Sequence, residues 1–173
     1  MTDFRLRRVR PLFGWKDARR LGQSPYLRAI ISSENLPTMK RVTGLGGIFF
    51  KAKDPEGMRA WYAQRLGVPF PNQYGAIFEW REHEDPQQEG HTVFSLMPET
   101  TRYFDPGKQS FMINYRVADL EGLLDQLRAE GVEVVGEMEV YDYGKFGWIL
   151  DPEGNKIELW EPHDEEFRKM NKL

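Results

Sequence analysis

Phe111-Met112-Ile113-Asn114-Tyr115-Arg116-Val117-Ala118-Asp119-Leu120-Glu121-Gly122 is the stretch from which the whole chain can be read. Its opening residues are rich in β-branched and aromatic types and predict a strand over 112–117. Asp119 stands where a short carboxylate can cap the free N–H groups of a helix start. Leu120, Leu123, Leu124 and Leu127 follow at the spacing of one buried helical stripe. Gly131 then offers a left-handed stop. The same order stands 65 residues earlier in Gly46-Gly47-Ile48-Phe49-Phe50-Lys51-Ala52-Lys53-Asp54-Pro55-Glu56-Gly57. There Asp54 is the cap, Pro55 suits the first helical turn, Met58, Trp61, Tyr62 and Leu66 form the stripe, and Gly67 is the stop.

Each unit continues into strands. Ala76–Trp80 and Thr92–Leu96 flank a polar hairpin with Pro86 and Gly90. In the second unit a strand near Val132–Val135 precedes Phe146–Leu150 and Lys156–Trp160, joined across Asp151-Pro152-Glu153-Gly154-Asn155, a turn with proline-set and glycine-permitted dihedrals. The last strands match at a spacing of 64, Thr92-Val93-Phe94-Ser95-Leu96 against Lys156-Ile157-Glu158-Leu159-Trp160. The internal repeat predicts an α+β fold of two βαβββ modules with pseudo-twofold symmetry and eight strands. Module one covers 42–104 and module two 109–162, with a charged C-terminal tail over 163–173.

Composition bounds the chemistry. With 173 residues, 40% hydrophobic and 29% charged, the chain can build a globular core without metals or disulfides. The absence of cysteine excludes thiol catalysis and cysteine-ligated metal. No apolar run approaches the ~20 residues of a membrane span, the start does not read as a secretory signal, and a cytoplasmic location is expected. Residues 1–38 carry +5 and the remainder −8. Scattered prolines and glycines make that basic arm a poorly ordered extension, dispensable for folding, rather than a nucleic-acid platform.

Strand side chains alternate faces. Ile113, Tyr115 and Val117 are expected beneath the second helix, and Ile48, Phe50 and Ala52 beneath the first. Val93, Ser95, Ile157 and Leu159 are placed on the helix side of the last strands. The opposite, concave face then receives Gly47, Phe49, Lys51, Phe94, Met112, Asn114, Arg116 and Glu158. Tyr141, Tyr143, Phe146 and Trp148 occupy nearby alternating positions. Convergent polar groups in an aromatic cavity are the signature of a small-molecule site, although aromatics at strand spacing also serve as plain core.

Residues 42–162, and above all Phe111–Val135 and Gly147–Leu159, resemble the vicinal-oxygen-chelate superfamily of glyoxalases, bleomycin-resistance proteins and dioxygenases. The resemblance implies a divalent metal (Zn, Ni, Mn or Fe) held from Gly47, Phe94, Met112 and Glu158. Of these only Glu158 is a ligand type for such an ion. Glu79 is the candidate substitute, while His83, His91 and His163 are placed in solvated positions. A metal-independent protein that binds or sequesters a small-molecule ligand, without cofactor, is the leading expectation. The ligand-binding residues would be Phe49, Lys51, Phe94, Asn114, Arg116, Phe146, Trp148 and Glu158, with Lys51 or Arg116 pairing Glu158. The alternatives are a metal-dependent lyase, isomerase or dioxygenase-type enzyme using Glu158 with Glu79, a metal-free enzyme with Glu158 as general base, and a protein–protein module. The resemblance also implies a homodimer.

Overall fold

The computed structural model describes residues 41–83 and 85–173. The basic extension expected over residues 1–38 lies outside them. Its elements run β1 (Val42–Ala52), α1 (Pro55–Leu66), β2 (Ala76–Arg81), β3 (Glu89–Pro98), β4 (Phe111–Val117), α2 (Leu120–Ala129), β5 (Val134–Tyr141), β6 (Gly144–Leu150), β7 (Lys156–Pro162) and α3 (Asp164–Asn171). Both anticipated helix starts form. The Gly57 N–H donates to Asp54 Oδ1 at 2.9 Å and the Gly122 N–H to Asp119 Oδ1 at 3.1 Å. Gly67 ends α1 with φ of 68°, a left-handed conformation that costs glycine little.

Among the described residues the strands form one sheet of seven in the order β2-β3-β1-β4-β7-β6-β5. At its centre β1 and β4 pair antiparallel, each flanked by a parallel neighbour, β3 and β7 respectively. The two modules therefore meet edge to edge across the pseudo-symmetric centre. Module two has its full complement of strands, but module one is one strand short of the eight expected. Its missing strand corresponds to the segment between α1 and β2. There Pro69 and Pro71 remove ladder donors, and the only pairing is an isolated bridge between Asn72 and Gly75.

The two helices dock differently. α2 buries Leu120, Leu123 and Leu124 against Val117 and Leu159. α1 buries no residue, and Met58, Trp61 and Leu66 of its expected stripe are exposed; Tyr62 alone of that stripe meets an aromatic partner on the sheet, Phe94, at 5.0 Å. On the opposite face a second cluster joins Phe49, Phe104, Met112 and Trp148.

The charged tail is a helix. α3 places Phe167 against Trp160 and His91, with ring centroids 5.0 and 5.2 Å apart. His91, expected in solvent at a hairpin edge, is buried beneath it. Among the described residues no helix is long and apolar enough to cross a membrane.

Candidate functional site

Strand register decides which side chains share the concave face. Ile113 lies opposite Ile157 across β4 and β7, and Asn114 lies opposite Glu158. In module one Ile48, the counterpart of Ile113, lies opposite Phe94, and Phe49 lies opposite Ser95. The last strands are thus related by 63 residues rather than 64, and a slip of one residue exchanges the faces. Phe94, expected in the cavity, instead packs on the helix side between Tyr62 and Phe50. Val93 and Ser95, expected beneath α1, point the other way. Val93 packs on the Phe49 cluster, and the Ser95 hydroxyl donates to the Tyr74 carbonyl at 2.6 Å. Ser95, not Phe94, is the positional counterpart of Glu158.

The concave face holds a cavity of 560 Å³. Asn114 and Glu158 contribute its polar floor, and Phe49, Tyr103, Phe146 and Trp160 contribute aromatic walls. α3 adds Phe167, Met170 and Asn171 to the lining.

Glu158 is 2% exposed. One carboxylate oxygen, Oε1, accepts from Asn114 Nδ2 at 2.6 Å; the other, Oε2, accepts from Trp148 Nε1 at 2.8 Å and from the Tyr103 hydroxyl. Burial pushes its pKa above the usual carboxylate range, against these three hydrogen bonds and the charge of Lys156. Hydrogen bonds to a charged acceptor contribute roughly 1.5–3 kcal/mol each and offset part of the cost of burying it. Tyr103 is held as a neutral donor, its pKa raised by its own burial and then by the neighbouring Glu158 charge.

The expected pairing of Glu158 with Lys51 or Arg116 does not occur. Arg116 lies opposite Trp160, one inward-facing position farther along the strand pair than Asn114 and Glu158. Its guanidinium stacks on Trp160 and donates to both oxygens of Asp164 at 2.8 and 2.9 Å. α3 supplies that carboxylate, from a stretch that by sequence reads as a charged tail. Lys51 Nζ sits over the Phe104 ring at 5.3 Å. The cation nearest in effect to Glu158 is Lys156, whose Nζ donates to the Tyr103 carbonyl at 2.7 Å.

Of the remaining sequence candidates, Phe49, Asn114, Phe146 and Glu158 all line the cavity. Trp148 stands behind Glu158, and Met112 is buried in the same apolar cluster as Phe49. Glu79 is exposed on the edge strand β2 opposite His91 and does not line the cavity. No group of three or more His, Cys, Asp or Glu able to hold a metal ion occurs among the described residues.

The four positions that the fold family would use for a metal are Gly47, Ser95, Met112 and Glu158 once the register is corrected. They do not fit a hard divalent ion. One has no side chain, one is a thioether, and Ser95 is committed to a backbone carbonyl. Glu158 has already given three acceptor positions to N–H and O–H donors, whose positive ends point where the ion's charge would be.

Tyr103, Trp160 and Phe167 are among the lining residues that sequence reasoning missed, and Phe104 packs in the apolar cluster beneath them. The only local signals are an aromatic pair inside the polar inter-module loop and the Phe167, Met170 spacing on one helical face.

A family model described as the Glyoxalase/Bleomycin resistance protein/Dioxygenase superfamily matches residues 44–159. Among solved structures the chain is similar to a methylmalonyl-CoA epimerase from Streptomyces coelicolor in complex with 2-nitronate-propionyl-CoA. That match has 18% identity and a TM-score of 0.53 over 70% of this chain and 99% of that one. A second epimerase, from Mycobacterium tuberculosis, is 21% identical over 77% of this chain and 97% of that one, with a TM-score of 0.48. The first of these likenesses concerns the fold alone. No protein of curated function matches the chain.

Proposed function

The chain belongs to the Glyoxalase/Bleomycin resistance protein/Dioxygenase superfamily, and from that premise we propose that it binds a small organic molecule in the concave cavity without a metal ion. The observation that carries this reading is the state of Glu158. Its carboxylate forms the floor of a 560 Å³ aromatic cavity and is held by Tyr103, Asn114 and Trp148, not by a set of ligand-type side chains. Such a site recognises a ligand by shape, apolar contact and a small number of fixed polar groups. Trp148 and Tyr103 lock the carboxylate in place before anything binds, so little ordering entropy is lost on binding.

The test is binding of a neutral apolar dye, Nile red, followed by its fluorescence. Dye binding should be unaffected by excess chelator and by added zinc, nickel or manganese. It should fall sharply in Val93→Trp, which fills the cavity from the β3 side. Near-stoichiometric metal after dialysis that disappears in Glu158→Gln would overturn the reading and move the protein to the metal-dependent enzymes.

A further inference from the structure

Resting on the reading of this cavity as a small-molecule site, we infer that its occupant is an organic cation carrying N–H donors on an apolar body, such as an arylamidinium or a protonated arylamine. Its charged end is seated against Glu158 and Asn114.

The first argument is charge. Among the described residues lining the cavity, Glu158 is the one acid, and no lysine, arginine or histidine lines it. The basic groups around the site lie outside the lining: Arg116 bonds Asp164 through Nη2 and keeps a buried Nη1 without a partner, Lys156 donates to the Tyr103 carbonyl, and Lys51 lies over the Phe104 ring. An anionic ligand end would meet a buried carboxylate with no lining cation to offset it. A cationic end would meet its counter-charge in a setting where solvent screening is weak.

The second argument is the hydrogen-bond inventory. Asn114 is buried, and its Oδ1 has no partner. The amide is held in this orientation because its Nδ2 donates to Glu158 Oε1. It fits there because Gly46, on the neighbouring strand β1, has no side chain; a β-carbon at that position would overlap Oδ1. A carboxylate offers about four acceptor positions, of which Tyr103, Asn114 and Trp148 take three, leaving one on Oε1. Asn114 Oδ1 and Glu158 Oε1 are neighbours, since the first shares a carbon with the nitrogen that bonds the second. Two adjacent open acceptors call for a ligand that donates twice.

The walls supply the third argument. Phe49, Tyr103, Tyr143, Phe146, Trp160 and Phe167 surround this floor. Aromatic faces carry negative electrostatic potential and attract cations, while their area takes up an apolar body.

Benzamidinium, benzamide and benzoate share nearly one shape while their end groups pass from a cation with N–H donors, through a neutral amide, to an anion. Titration calorimetry of each into the full chain near neutral pH reads the inference directly. Benzamidinium should bind about tenfold or more tighter than benzamide, as a desolvated charge-assisted pair with cation–π support implies, and benzoate should not bind measurably. Glu158→Gln should bring benzamidinium to within about threefold of benzamide. Should that variant not fold, Asn114→Leu, of similar volume, should lose the same preference, and the wild-type series is decisive alone. Equal affinities for benzamidinium and benzamide, or tighter benzoate, would overturn the inference, as would no binding of any of the three while Nile red still binds. Loss of dye binding as well would overturn the underlying reading of the cavity.

Discussion

The two modules begin from nearly the same sequence plan and end in different physical states. In module two the helix docks through three buried leucines, the sheet has its full set of strands, and the inward positions carry Asn114, Arg116 and Glu158. In module one the helix buries nothing, a strand is missing, and the matching inward positions are Phe49, Lys51 and Ser95. Module two supplies the scaffold, the polar floor of the cavity and, with Phe146 and Trp160, part of its aromatic wall, to which module one adds Phe49 and Tyr103. Duplication supplied a symmetric frame, and the chemistry collected on one side of it.

The largest expected effect tests this asymmetry in stability. Leu124→Ala removes a side chain that is 2% exposed between α2 and β7 and should cost about 2–5 kcal/mol. Met58→Ala, at the equivalent face of α1, should change stability by no more than about 0.5 kcal/mol. Urea unfolding of both variants decides it. Comparable losses would show that α1 is as firmly docked as α2.

A smaller contrast lies at the paired inward positions. Trp148→Phe keeps a ring but removes one donor from the buried Glu158 carboxylate, and should cost roughly 1–3 kcal/mol. Ser95→Ala removes a hydroxyl whose partner is a loop carbonyl and should cost about 1 kcal/mol or less. If the serine variant were the more damaging, the polar weight of the site would lie in module one after all.

The plan of strands and helices was legible because it depends on local signals: caps at Asp54 and Asp119, a leucine stripe, a glycine stop. Module two's inward set was legible too, since alternation along β4 and β7 places Asn114 and Glu158 together. Module one's was not. Periodicity specifies that a strand alternates, but phase requires register, and register is set by pairing between segments distant in the chain. Phe94 was misplaced by a single residue for this reason. The missing strand has its signal in Pro69 and Pro71, whose lost ladder donors outweigh the symmetry of the repeat. Tyr103 and Phe167 were out of reach because a loop and a short polar helix become part of a cavity only through tertiary contact.

The helix caps sharpen the comparison at lower amplitude. Both Asp54 and Asp119 accept an N–H from their helix, and losing such a cap costs about 1 kcal/mol of helix stability. In Asp119→Ala that loss should reach the global unfolding midpoint, since α2 belongs to the core. In Asp54→Ala most of it should appear as faster amide exchange within α1, with the midpoint nearly unchanged. Equal midpoint shifts would indicate that both helices unfold with the whole.

The smallest effect concerns α3, the element that reaches both modules across the concave face. Asp164 accepts from Arg116 of module two and lies 3.6 Å from His91 of module one. Burial pushes its carboxyl up, but His91 and Arg116 outweigh burial and hold it below the usual range. A carboxyl lowered in the folded state contributes stability above its unfolded pKa, about 3.9, and that contribution is lost as pH falls through the lower folded value. The window is therefore below about pH 4. Asp164 is 41% exposed, so solvent screening limits the gain to under about 1 kcal/mol. Urea midpoints at pH 5 and pH 3 should fall more for the wild type than for Asp164→Asn, with the difference confined to that interval because the other carboxylates are common to both proteins. Parallel profiles would show that α3 is held by Phe167 and the Arg168–Glu89 pair, and that the Asp164–Arg116 pair contributes orientation to the cavity's edge without contributing measurably to its stability.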